Sequence, residues 1–83
     1  MFTWKEVSAT RIICQLDNDT ICAIDKVPNG NTWSVHVPIY RDLTTWKALK
    51  ATNVQEAEKE ALALVKDICV NQVSFYSKIL SAY

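Results

Sequence analysis

Cys14, Cys22 and His36 are the residues whose types could do chemistry, and their positions decide whether they can meet. A cysteine pair facing across two strands can close a disulfide or supply half of a zinc site, which a nearby imidazole would extend. Asp17-Asn18-Asp19 with Thr20 shares the composition of a calcium-loop start, but the glycine and glutamate that such a loop needs further on are missing, so a turn is expected there. His36 is the single histidine, and a general base needs an orienting carboxylate and a nucleophile within reach. Gly30 is the single glycine, which leaves no phosphate-cradling loop.

Two turns place these residues. Asn29-Gly30, between Pro28 and Asn31, lies between apolar-alternating runs and predicts a two-residue type I′ hairpin. Extended outward, it pairs Val27 with Thr32, Lys26 with Trp33, Ile24 with Val35 and Cys22 with Val37. Upstream, a three-residue loop at Asp17-Asn18-Asp19 sets Cys14 opposite Cys22, Ile12 opposite Ile24 and Arg11 opposite Asp25, whereas a two-residue loop would press Ile12 against Asp25. The three-residue register is therefore expected. Both hairpins then agree on one core face, with rows Ile12–Ile24–Val35 and Cys14–Cys22–Val37, continued by Leu16 and Ile39. Trp33 joins that face over the stem of Lys26. The other face carries Arg11, Asp25 and Ser34 in one row and Ile13, Ala23 and His36 in the next.

The consequence for chemistry is negative. Strand alternation puts His36 on the side away from Cys14 and Cys22, so the three cannot share an ion, and its row neighbours Ala23 and Ile13 offer neither carboxylate nor nucleophile. Cys14 and Cys22 are expected to be small buried hydrophobes, and so is Cys69, which flanks the apolar stripe of a helix further on. No catalytic residue, metal ligand or cofactor is expected, and the chain reads as a non-enzyme.

The elements that hold these residues continue past Tyr40. Residues 44–51 fit either a short fourth strand or irregular chain, the strand being the preferred reading, and Pro38 makes the third strand an edge or a bulged strand at that point. Helical periodicity starts at Val54, announced by Asn53 with Glu56 three residues on, the capping-box spacing. Val54, Ala57, Ala61, Leu64, Val65, Ile68, Phe75, Tyr76 and Ile79 form one stripe, interrupted by Gln72, while Glu56, Lys59, Glu60, Lys66, Asp67 and Lys78 lie on the far side. A helix from Val54 to Leu80 would run about 40 Å against strands of roughly 25 Å. It must therefore bend or break near Asn71-Gln72, or carry Phe75, Tyr76, Ile79 and Leu80 onto something beyond the sheet. The expected fold is α+β: a three- to four-stranded antiparallel meander with one long C-terminal amphipathic helix packed on one face.

Composition sets the outer bounds. With 49% hydrophobic and 22% charged residues, the 83-residue chain reads as a single small domain, residues 1–83, with too much apolar content for disorder. Nine Lys and Arg balance nine Asp and Glu, which removes net charge as a reason to bind nucleic acid or an anionic membrane. No segment approaches the ~20 apolar residues of a bilayer span, and the opening Met1-Phe2-Thr3-Trp4-Lys5-Glu6 lacks the plan of a signal peptide, so a cytoplasmic protein with reduced thiols is expected.

Aromatic residues point to a contact surface instead. Tyr40-Arg41, Lys47 and Lys50 surround Trp46 in an aromatic-basic cluster, and Trp4 also has no evident place on the buried face; Trp4 and Trp46 either close the ends of the core or contact a partner. Trp4, Tyr40, Arg41, Trp46, Lys47 and Lys50 are thus the candidate partner-binding residues. Three strands followed by a helix, with Trp33-Ser34-Val35-His36-Val37 in the third strand and Ala51-Thr52-Asn53-Val54-Gln55-Glu56-Ala57 entering the helix, resemble small proteins of phages and mobile elements. Over roughly Arg11 to Lys66, the layout is similar to the arm-binding domains of phage tyrosine recombinases. That resemblance, with the lack of a catalytic constellation, implies a phage-encoded accessory protein occupying a surface on host machinery or a defence complex in the manner of anti-CRISPR proteins; the alternative, from the aromatic-basic cluster itself, is a small nucleic-acid-binding domain. A homodimer through Phe75, Tyr76, Ile79 and Leu80 is a further expectation.

Overall fold

The computed structural model describes residues 1–27, 30, 32–38 and 46–83. Five strands, β1 (Phe2–Glu6), β2 (Arg11–Leu16), β3 (Asp19–Lys26), β4 (Trp33–His36) and β5 (Lys47–Ala48), form one antiparallel meander in the order β1-β2-β3-β4-β5. One helix, α1 (Val54–Ser81), covers one face. The α+β class and the single long helix agree with the sequence reading. The sheet is larger than expected by β1, which the alternation of Phe2, Trp4 and Glu6 with Thr3 and Lys5 was too short to announce. β1 lies against β2 with Trp4 opposite Cys14, so Trp4 stands on the helix side of the sheet as a half-buried wall of the core.

Two turns differ from expectation in detail while preserving the predicted register. Ile24 faces Val35 and Lys26 faces Trp33, as the Asn-Gly signal implied. The ladder closes at Val27, whose N–H donates to the Thr32 carbonyl at 3.0 Å, and Gly30 donates to the Val27 carbonyl at 3.2 Å. Gly30 does not have the positive φ that a type I′ turn demands, so the register comes from strand pairing and not from that turn type. Pro28, Asn29 and Asn31 lie outside the described residues. In the other hairpin the loop is the two-residue Asp17-Asn18, with Asp17 in the left-handed region at φ 56°, and Asp19 already belongs to β3. Leu16 pairs with Asp19 and Gln15 with Thr20, yet Cys14 still pairs with Cys22 and Ile12 with Ile24. A β-bulge that leaves Ile21 without a partner absorbs the difference. Ile21 packs against the core beside Cys22. The bulge lets a tight turn coexist with an all-apolar core face, a combination that the three-residue loop was expected to provide.

The core contains Cys14, Cys22, Ile24, Trp33, Val35 and Val37 from the sheet side, Leu49 and Ala51 from the chain entering α1, and Ala57, Ala61 and Val65 from the helix. Alanine at 57 and 61 brings the helix axis close to the sheet, and each of Ile24, Val35 and Val37 gains about 1.5–3 kcal/mol by leaving water. Ile39 lies outside the described residues. Of the expected fourth strand, residues 47–48 form β5 on the far side of β4, and Leu49 N–H adds a bond of 2.8 Å to the Trp33 carbonyl. Helix α1 begins where the capping signal placed it: the Asn53 side chain accepts from Glu56 N–H at 2.9 Å. It runs unbroken through Asn71-Gln72, so the choice left open by its length resolves to an overhang. The molecule measures 52 × 25 × 20 Å, its long dimension drawn out by that helix.

Candidate partner-binding surface on the open sheet face

The sheet face turned away from α1 is built from the alternate positions of each strand. Arg11 opens β2 opposite Asp25 near the end of β3, which in turn faces Ser34; Ile13, Ala23 and His36 make the next row. The β4–β5 pairing of Ser34 with Ala48 and Val35 with Lys47, continued by one residue, sets Trp46 opposite His36. Their ring centroids lie 5.4 Å apart at an interplanar angle of 34°. Arg11 completes the group, its guanidinium carbon 4.9 Å from the centre of the Trp46 ring. Asp25 holds that guanidinium with two bonds, Nη2 to Oδ2 at 3.1 Å and Nε to Oδ1 at 3.4 Å. A fork-to-fork pair orients the arginine plane more than it stabilises the fold, since exposed ion pairs and cation–π contacts each contribute about 1 kcal/mol or less. The result is an aromatic platform of Trp46 and His36 with one charge-balanced arginine, on the sheet face that α1 leaves open.

The candidate residues named from the sequence do not gather here. Trp46 does, at 37% exposure, while Trp4 is on the opposite side of the sheet. Lys47, opposite Val35, projects to the helix side at the β5 edge and borders a cleft of about 210 Å³ with Leu49, Glu60, Leu64 and Asp67. Lys50 is exposed, and its backbone N–H is tied to Glu60 at 3.0 Å. Tyr40 and Arg41 lie outside the described residues. Sequence reasoning missed Arg11 and His36 as neighbours of Trp46. Arg11 and Asp25 were already paired by register, but the Trp46–His36 stack requires the β4–β5 register, which no short turn signal announces. Glu60 was missed as well. Although assigned to the solvent side, its carboxylate accepts from both Lys50 and Ala51 N–H at 3.0 Å, anchoring the β5–α1 connection to the helix.

The thiols behave as their burial dictates. Cys14 and Cys22 are fully buried and unbridged neighbours. Burial raises the pKa of Cys14 and pushes that of Cys22 up to about 12, the adjacent Cys14 adding to the effect, so both are protonated and poor nucleophiles at neutral pH. His36 faces away from them, as alternation required. Cys69 corrects the expectation of a buried residue: the sheet ends short of it, and it is exposed at the rim of an apolar groove of about 420 Å³ with Phe2, Leu62, Val65 and Lys66. Among the described residues, no three His, Cys, Asp or Glu side chains come together to hold a metal. Among the described residues, no helix is long and apolar enough to cross a membrane.

Fold and surface together define a small α+β domain: a five-stranded meander with a helix on one face and an aromatic-cation platform on the other. No protein-family model, curated protein or solved structure matches the chain.

Proposed function

We propose that the chain is a non-enzymatic binding domain that engages another protein through the open sheet face, with Trp46 as the anchor and Arg11 and His36 beside it. The observation that carries this reading is the Arg11–Trp46–His36 cluster on the sheet face that α1 leaves open, where tryptophan and arginine supply the contact chemistry that dominates protein interfaces. Electrostatics favour a protein over a nucleic acid. Lys47 and Lys50 do not join the platform, Arg11 is neutralised by Asp25, and the chain carries equal numbers of basic and acidic residues. The narrower reading, a phage-encoded inhibitor of host machinery or of a defence complex, is supported by resemblance of layout alone.

The test is capture by the immobilised chain from nuclease-treated host lysate, run beside Trp46→Ala. Wild type should retain a protein partner that Trp46→Ala loses at least tenfold, with unchanged far-UV circular dichroism. Retention that ignores Trp46 would overturn the proposal. So would Trp46 fluorescence quenched by oligonucleotides in a steeply salt-dependent way, which would move the platform to the nucleic-acid reading.

A further inference from the structure

Beyond Ile68, α1 loses contact with the core, yet its apolar stripe continues on the same face that Ala57, Ala61 and Val65 turn to the sheet. Val65, Ile68, Gln72, Phe75, Ile79 and Ala82 follow one another at alternating spacings of three and four, the seam of a two-helix coiled coil. Phe75 is 58% exposed, Tyr76 57%, Ile79 42% and Leu80 71%. We infer that a second copy of this chain covers this overhang, the two C-terminal halves of α1 lying antiparallel with Gln72 of one beside Phe75 of the other.

Three observations select this occupant. Phe75, Tyr76, Ile79, Leu80 and Tyr83 leave roughly 600 Å² accessible, at about 150–250 Å² for a fully exposed large side chain, the lower end of what each partner contributes to a standard interface. Charge gives a different partner nothing to recognise and a second copy nothing to repel, because Lys78 is the single charged side chain from Ile68 to Tyr83. Geometry then sets the orientation. The sheet occupies the stripe as far as Ile68, so two helices in parallel register would drive one sheet into the other, whereas antiparallel overhangs meet freely. That register also brings Ile79 and Leu80 of the second copy alongside Ile68 and the groove of Phe2, Leu62, Val65 and Cys69, giving the groove a filling. Gln72 becomes the polar seam residue that discourages slipped registers.

The inference is independent of the open-face reading, since Trp46 lies on the other side of the sheet. Sedimentation equilibrium of the full chain should show mass rising with concentration from 9.4 kDa toward twice that value. Phe75→Lys and, separately, Leu80→Lys should hold the chain at monomer mass with unchanged helix content, while Trp46→Ala should still dimerise. Orientation is read from nitroxides on Gln55→Cys in a Cys69→Ser background: antiparallel overhangs separate the two labels by about 55 Å. A monomer at all concentrations up to ~0.5 mM, including one that floats with lipid vesicles, overturns the inference, and so does a label separation under ~25 Å.

Discussion

Cys22 shows how little chemistry a reactive residue type carries once it is placed. Its thiol is fully buried beside Cys14, and a pKa of about 12 leaves it protonated across the physiological range. The unfolded chain ionises the same thiol near 9, so the stability it contributes is complete below that pH and is lost as pH rises toward 12. Denaturation of the wild-type chain should therefore become easier by about 1 kcal/mol per pH unit above pH 9 from this group. Cys22→Ala should start about 1 kcal/mol less stable at pH 7 because of the lost packing, and should show a shallower alkaline decline, measurable as urea midpoints from pH 7 to 11. An alkaline decline equally steep in both proteins would refute the assignment. At pH 7.5 and at concentrations where the chain is monomeric, iodoacetamide should label Cys69 in the native chain and reach Cys14 and Cys22 only on unfolding.

At the level of elements, Glu60 and Ile21 show how pieces with weak local signals are held. Lys50 and Ala51 present two backbone N–H groups to the helix, and the Glu60 carboxylate takes both. Glu60→Ala should cost about 1–3 kcal/mol, and Glu60→Gln less, since an amide oxygen can still accept; chemical denaturation distinguishes the two. A loss under ~0.3 kcal/mol for Glu60→Ala would mean that water replaces the carboxylate. Ile21 works differently. By standing unpaired in a bulge, it reconciles the two-residue Asp17-Asn18 turn with the Ile12–Ile24 pair, so loop length and register need not agree as simple hairpin counting assumes.

For the molecule as a whole, core and overhang are separable. Packing ends at Ile68, with Val70 and Val73 already more than half exposed. A chain stopped after Asn71 should keep the near-ultraviolet dichroism of Trp33 and Trp4 and lose less than about 1 kcal/mol of stability at concentrations where the full chain is monomeric. Collapse of the sheet signal on truncation would show that the overhang supports the core from within one chain. The two surfaces lie on separate sides of the molecule, the platform on the open sheet face and the apolar seam on the helix side, so antiparallel pairing would leave two platforms at opposite ends of a dimer.

Much of this architecture was legible in the chain because its signals are local and period-matched. Alternation around Gly30 and Asp17 assigned the core face, with Cys14, Cys22, Ile24 and Val35 inside and His36 outside, and Asn53 with Glu56 marked the start of the helix. A one-residue slip would have turned every one of those side chains to the wrong side, so burial enforced what the pattern proposed. Only the tertiary structure decided the rest. β1 depends on pairing with a neighbour and not on its own five residues, the bulge at Ile21 is a compromise between turn and core, and Trp46 finds Arg11 and His36 across three strands. Those are long-range contacts, chosen by competition among surfaces that no short window of sequence contains.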